Sequence, residues 1–196
     1  MSHDLTPALL LLFPSLLNSF TTLIEESPKA TDYSLRSKRR TIRHYHHQYK
    51  EHGVLPSDVM KATLAKITEW EKEHKLNIFS AIVPEEVMKA AYESDQRYAN
   101  GKPLSIIDGV PIAIKDMIMI AKHINYNGKS PKEEYKDGHV MPEEDDLMVH
   151  RLRMYGAIIL GATVMTEGGV TPLGWSAHFQ GPYNVYNFDR YCGGSS

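Results

Sequence analysis

The segment GVPIAIKD (Gly109–Asp116) is a strong indicator of the fold class of this chain. It is a β-branched, apolar run that ends in a lysine and an aspartate. Such a run is typical of a strand buried on both faces. A second run of this kind, AIILGATVM (157–165), follows a helical pattern, PEEDDLMVHRLRMYG (142–156), with acids at its start and bases near its end. Strand, helix and strand in this order predict a β-α-β unit.

Between residues 34 and 102 the sequence predicts three helices and one more strand. SLRSKRRTIRHYHHQYKEHG (34–53) reads as a charged helix ended by a glycine, and PEEVMKAAYESDQRYANGK (84–102) as a helix with proline and acids in its first turn. NIFSAIV (77–83) is a short apolar strand. The fold class predicted is therefore α/β, with a β-sheet core covered by helices.

The segment PSDVMKATLAKITEWEKEHK (56–75) predicts the third of these helices. Ser57 is a favourable N-cap residue. Apolar side chains then recur at helical spacing, which predicts one face turned to the core; they are Val59, Leu64, Ile67 and Trp70.

Composition excludes several functional classes. The chain has 196 residues, 42% hydrophobic and 23% charged, with a net charge of −2. These are values of an ordinary globular protein, and the charge does not favour nucleic acid as a partner. The single cysteine, Cys192, rules out an internal disulfide and fits a reducing compartment. We expect it to be a buried bystander, with a nucleophile as the alternative.

The most apolar run is ALLLLFPSLL (Ala8–Leu17). It is too short to span a bilayer and lacks the basic start of a signal peptide. We interpret it as an N-terminal helix that buries against another surface, with a membrane-surface or dimer contact as the alternative. The expected location is cytoplasmic or peripheral on an intracellular membrane, and not secreted.

Two stretches read as loops. Residues 121–142 are expected to form a long surface loop, and residues 166–196 are rich in Gly, Pro, Asn and Tyr. Within the chain, HYHH (44–47) resembles a metal cluster but lacks a helical i, i+4 pair and a partner at metal-site spacing, so an exposed helix face is the expectation.

Lys115 and Ser195 are the residues that could carry chemistry. Lysine rarely follows a buried strand, and its position fits either a side chain reaching solvent or an amine removed from water. An amine removed from water holds its proton less firmly and can act as a general base. Ser195, after two glycines, fits either a solvated loop or a hydroxyl activated by such a base, since Ser–Lys pairs are a known variant of serine catalysis.

Three blocks in this order and spacing resemble the amidase signature family. They are DQRYANGKPLSIIDGVPIAIKD, DDLMVHRLRMYGAIILGATVMTE and NVYNFDRYCGGSS. Within the family, GKPLSIIDGVPIAIKD and IFSAIVPEEVMKAA are most similar to the plant-type fatty acid amide hydrolases. The resemblance runs from about Thr41 to Ser196 and implies a mixed sheet wrapped in helices, in a domain longer than this chain.

The resemblance also implies a Ser-Ser-Lys triad and no cofactor. Lys115 matches the lysine, Ser195 the first serine after a cis bond with Gly194, and Ser196 a supporting, substrate-binding position. The resemblance places the nucleophilic serine, with its oxyanion-hole amides, beyond Ser196. Asp116 matches an acid that we expect to be structural.

Two further positions complete the expected site. Gly169 and Thr171 are assigned to substrate binding, and no metal is expected. The chain departs from the family pattern at positions away from the triad, namely Ala162, Val185, Phe188 and Cys192.

The expected function follows from this resemblance. Residues 1–40 would be an apolar helix and linker, and residues 41–196 the first part of an amidase domain, cut after GGSS. The predicted activity is hydrolysis of fatty acid amides or other carboxamides, with lipid or small-molecule amides as partners and a homodimer or membrane contact possible. The alternative is a truncated, non-catalytic fragment or an interaction partner with no activity of its own, and the chain alone is expected to be inactive.

Overall fold

A computed structural model describes residues 40–132, 139–184, 187 and 189–194. The predicted N-terminal helix, Ser195 and Ser196 lie outside the described residues. The elements in chain order are helix α1 (Ile42–Glu51), helix α2 (Pro56–His74), strand β1 (Phe79–Ala81), helix α3 (Pro84–Ala99), strand β2 (Pro111–Lys115), helix α4 (Leu147–Met154), strand β3 (Ile158–Thr163) and a 3₁₀ turn (Glu167–Gly169).

The two N-terminal helices begin differently. At α1 the Thr41 hydroxyl accepts a hydrogen bond from the His44 backbone N–H at 3.2 Å, which satisfies one free donor of the first turn. At α2 the predicted cap was wrong: Leu55 is the N-cap, and proline occupies the first turn. Ser57 is buried instead, and its backbone N–H donates to Asp95 Oδ1 at 3.0 Å. This N–H group in the first turn of α2 therefore bonds to a side chain of α3 rather than to a local N-cap side chain.

The three strands form one mixed sheet in the order β1–β3–β2. β2 and β3 are parallel, with Lys115 opposite Thr163, and α4 lies in the connection between them. This arrangement confirms the predicted β-α-β unit. β1 runs antiparallel to β3 and spans three residues, shorter than the predicted strand.

The central strand β3 is buried on both faces. Ile158 and Leu160 belong to a core formed with α1, α2 and α3, whereas Ile159 and Ala162 belong to a second core with β2 and α4. Ile112 of β2 lies opposite Ile159 of β3, but the next residue, Ala113, lies opposite Gly161, so the pairing skips one residue of β3. An extra residue in one strand changes which face the following side chains occupy, so Ala162 joins the same core as Ile159.

The start of β2 is fixed by a buried ion pair. Asp108 is fully buried and accepts hydrogen bonds from Arg97 Nε at 2.8 Å and Arg97 Nη2 at 2.7 Å. The Ser94 hydroxyl and the Leu104 backbone N–H donate to the same carboxylate at 2.7 and 2.8 Å. Because Ser94 and Arg97 lie on α3, these bonds tie α3 to the chain that enters β2.

The stretch after β2 is less exposed than the sequence predicted. Ile120, His123 and Ser130 are buried, and Asn125 forms an isolated antiparallel bridge with Val140. Residues 133–138 lie outside the description. In its described parts, residues 121–142 pack against the protein instead of forming a surface loop throughout.

The acidic stretch before α4 also has a structural role. Asp145 accepts a hydrogen bond from the Ala121 backbone N–H at 2.8 Å and pairs with Arg153 at 2.8 Å. α4 itself begins only at Leu147, after the acids. In the described part of the chain, no helix combines the length and the apolar character needed to cross a bilayer.

Candidate active site

Lys115 is the last residue of β2 and is half-buried. Its strand neighbour is Thr163, the last residue of β3. The carboxyl ends of parallel strands share one edge of a sheet, which is where α/β proteins of this kind build their binding sites. The candidate base therefore stands at the edge from which the two following loops depart.

Asp116, directly after Lys115, organises the first of these loops. Its fully buried carboxylate accepts hydrogen bonds from the backbone N–H groups of Tyr126 at 3.1 Å and Gly128 at 3.2 Å. Burial raises the pKa of Asp116 above its usual value, and the backbone donors offset this only in part. These contacts agree with the structural role expected for this residue.

The loop held by Asp116 packs directly on the segment that follows β3. Gly128 has a positive φ of 74°, and a Cβ at this position would overlap the Thr166 carbonyl. The Asn127 carbonyl accepts a hydrogen bond from the Gly168 N–H at 3.3 Å. Only glycine allows this approach, so the loops after β2 and β3 form one connected surface.

Gly169 and Thr171 lie on this surface. The Gly169 N–H donates to the Thr166 carbonyl at 2.8 Å, and Thr171 Oγ1 accepts from the Leu173 N–H at 3.2 Å. Both residues are half-buried. Their assignment to substrate binding stays a prediction.

The final glycines are packed against the same segment. A Cβ on Gly174, whose φ is +74°, would overlap the carbonyl oxygen of Gly193 and approach the N atom of Gly194. The backbone leading to Ser195 therefore runs in contact with the chain that leaves β3. Ser195, Ser196 and the Gly194–Ser195 bond lie outside the described residues, so the roles given to them stay predictions.

Aromatic side chains line the approach to these glycines. The ring of Trp175 lies edge-on to Tyr183, with centroids 4.9 Å apart, and to Tyr191 at 6.2 Å. A cavity of about 250 Å³ opens between these three rings, Asp189 and Arg190. This group was not predicted from the sequence, although Trp and Tyr recur in residues 175–191.

Cys192 corrects a prediction. It is exposed rather than buried. Its thiol donates to the Pro182 carbonyl at 3.0 Å, and desolvation raises its pKa. A thiol with a raised pKa carries little thiolate, so it is a poor nucleophile.

The histidines of α1 do not form a metal site in the described residues. His47 is exposed, and its Nε2 lies 3.3 Å from His52 Nε2. No group of three or more potential ligands able to hold a metal ion occurs among the residues that the structure describes.

Solved amidases share this arrangement of helices and sheet. The native peptide amidase of Stenotrophomonas maltophilia superposes with a TM-score of 0.69 at 23% identity, over 80% of this chain and 32% of the peptide amidase. At that identity the likeness shows the fold, which is the mixed α/β fold of the amidase-signature enzymes.

The sequence comparisons identify the family. Residues 58–196 match the family described as Amidase. The fatty acid amide hydrolase of Medicago truncatula is 35% identical over 156 residues, 79% of this chain and 25% of that protein. A glutamyl-tRNA(Gln) amidotransferase subunit from an Anaeromyxobacter strain is 31% identical over 144 residues, 74% of this chain and 28% of that protein. The chain belongs to the amidase family.

This membership confirms the family and the fold expected from the three sequence blocks. The chain spans about a quarter of the length of the curated relatives it matches.

Proposed function

We propose that this chain contributes Lys115 and Ser195 to the proton relay of a Ser-Ser-Lys amide hydrolase. In this proposal Lys115 takes a proton from the Ser195 hydroxyl, and Ser195 takes one from a nucleophilic serine outside residues 1–196. The relay then runs backwards and delivers a proton to the amine that leaves when the C–N bond breaks. Amide cleavage needs this last step because an unprotonated amine is a poor leaving group.

One observation carries the proposal. Lys115 ends a strand at the carboxyl edge of the parallel pair, and the loops that leave this edge pack on one another through Gly128 and Thr166. The segment after β3 in turn contacts the backbone of Gly193 and Gly194. Membership of the amidase family supplies the chemistry that such an edge would serve.

The substrate class proposed is the fatty acid amides. The 35% identity to the Medicago truncatula fatty acid amide hydrolase supports this class. The cavity beside the glycines offers the rings of Trp175, Tyr183 and Tyr191 to a hydrocarbon group, and Asp189 and Arg190 give it a polar side.

The test is a chimera in which Ser196 is followed by the corresponding C-terminal residues of the Medicago truncatula enzyme. We expect it to hydrolyse an N-acylethanolamine faster than a short carboxamide. Lys115→Ala and Ser195→Ala should each lower kcat/KM by roughly 10²-fold or more, the usual contribution of general acid–base catalysis. Lys102→Ala, at an exposed lysine, is the matched control and should leave the rate unchanged.

Two outcomes would contradict the proposal. If the chimera keeps full activity after Lys115→Ala, a residue other than Lys115 is the general base. The 196-residue chain alone should show no hydrolysis above its own Lys115→Ala variant, and Lys115-dependent turnover by that chain would mean that a residue within it is the nucleophile.

A further inference from the structure

A groove of about 410 Å³ lies between α2 and β1. Its walls are mainly apolar. They are formed by one face of α2 and by the strand region around β1, namely Thr63, Lys66, Ile67, Trp70, Glu71, Leu76 and residues 78–82. Ile67 and Trp70, two residues of the apolar helical pattern predicted to face the core, line this groove instead.

The strand wall of the groove can accept a peptide. β1 stands at one end of the sheet order, and β3 is its partner strand in the described part of the chain. An edge strand presents backbone N–H and C=O groups that a second extended segment can pair with. A peptide in extended form can satisfy these groups, so an occupant that pairs with β1 would be extended there and not helical.

The charged groups on the walls are compensated within the chain. Lys66, with 8% of its side chain exposed, pairs with Glu69 Oε1 at 2.7 Å and lies over the Trp70 ring at 5.4 Å. Glu71 Oε2 accepts a hydrogen bond from the Asn77 N–H at 2.9 Å. An added charge would be costly to desolvate in these mainly apolar walls, so the groove favours an uncharged, apolar occupant.

The chain itself contains such a segment outside the described residues. Ala8–Leu17 is its most apolar run and carries no charged side chain. Residues 18–39 connect it to the described part, and an extended chain covers about 3.3 Å per residue. The connection is therefore long enough to reach any face of this domain.

We propose that the α2–β1 groove is the docking site of the chain's own segment Ala8–Leu17. Burial of leucine and phenylalanine side chains against Ile67 and Trp70 provides the driving force, because removing apolar surface from water is favourable. This docking would cover both the apolar groove and the apolar run, each of which is costly to expose.

Trp70 fluorescence in the full chain tests the proposal. The sequence has two tryptophans, so a Trp175→Phe background leaves Trp70 as the single reporter. Leu10→Asp with Leu12→Asp should shift its emission to longer wavelength and increase quenching by acrylamide. The matched control, Thr21→Asp with Thr22→Asp, adds the same charge outside the apolar run and should leave the emission unchanged.

A cross-link provides a second, independent measurement. In a Cys192→Ser background, Leu11→Cys with Ile67→Cys should form a disulfide within one chain, because a disulfide requires Cα atoms within about 7 Å. Leu11→Cys with Lys61→Cys is the control, since Lys61 is exposed on α2 outside the groove. That pair should remain reduced.

Three results would overturn the proposal. Equal emission of the aspartate variant and its control, together with equal cross-linking at positions 61 and 67, would show that the segment does not enter the groove. Cross-links that join two chains and increase with protein concentration would assign the groove to a second copy. A blue shift of Trp70 that appears only with phosphatidylcholine vesicles would assign it to a membrane surface.

Discussion

The two ends of β2 each carry a fully buried carboxylate, but the two are stabilised differently. Asp108, before the strand, has Arg97 as a counter-charge, whereas Asp116, after the strand, accepts hydrogen bonds from backbone N–H groups. Burial raises the pKa of Asp108, but the bonds from Arg97, Leu104 and Ser94 outweigh it and the pKa is lowered. For Asp116 burial prevails and the pKa is raised.

The two aspartates therefore differ in role: Asp108 stabilises the fold, whereas Asp116 lies beside the candidate active site. The ion pair at Asp108 joins two elements of secondary structure and fixes where β2 begins. Asp116, next to Lys115, holds a loop through hydrogen bonds from backbone N–H groups, and these bonds offset the cost of burying its charge only in part. Chemistry is expected at the Asp116 end because Lys115 lies there, at the carboxyl edge of the parallel pair.

The largest effect is expected from removing the counter-charge of Asp108. Arg97→Ala leaves a buried carboxylate without its cation, and breaking a buried pair in this way costs about 3 kcal/mol or more. Urea unfolding followed by circular dichroism measures the change. Arg151→Ala, at an exposed position of α4, should stay within about 0.5 kcal/mol of wild type. An equal effect of both substitutions would show that the ion pair does not hold β2 in place.

A smaller effect is expected at the other end of the strand. Asp116→Asn keeps the shape of the side chain but turns an NH₂ group towards the N–H groups of residues 126 and 128. The lost hydrogen bonds should cost about 1–3 kcal/mol. Hydrogen exchange of the Tyr126 and Gly128 amides should accelerate as well. Glu144→Gln, at an exposed acid, is the control, and protected amides in Asp116→Asn would contradict this account.

The smallest expected effect concerns the pH dependence of stability, which should have opposite signs for Asp108 and Asp116. Asp108 has a lowered pKa when folded, so its contribution to stability is present above the unfolded pKa of about 3.9 and is lost as the pH falls through the folded value. Asp116 has a raised folded pKa, so its contribution decreases as the pH rises from about 3.9 through that value.

Unfolding free energies measured between about pH 6 and about pH 3 test this difference. As the pH is lowered, the stability gap between wild type and Arg97→Ala should narrow, whereas the gap between wild type and Asp116→Asn should widen. Gaps that change in the same direction for both variants would show that the two carboxylates are not perturbed in opposite senses.

Sequence periodicity predicted the β-α-β unit because a buried parallel pair requires two apolar runs separated by a helix. It did not predict the start of α2, since the N–H of Ser57 is satisfied by Asp95, 38 positions away. Periodicity also predicted that Ile67 and Trp70 face the core, whereas they line the α2–β1 groove. An apolar helix face indicates that something covers it, but it does not indicate what.

The family and the class of fold could be read from residue types and their spacing along the chain. Which groups come into contact depends on tertiary packing. The contact of Gly128 with Thr166, the contact of Gly174 with Gly193 and the partners of the two buried aspartates are examples. They join positions distant in sequence, and packing rather than local preference determines such contacts.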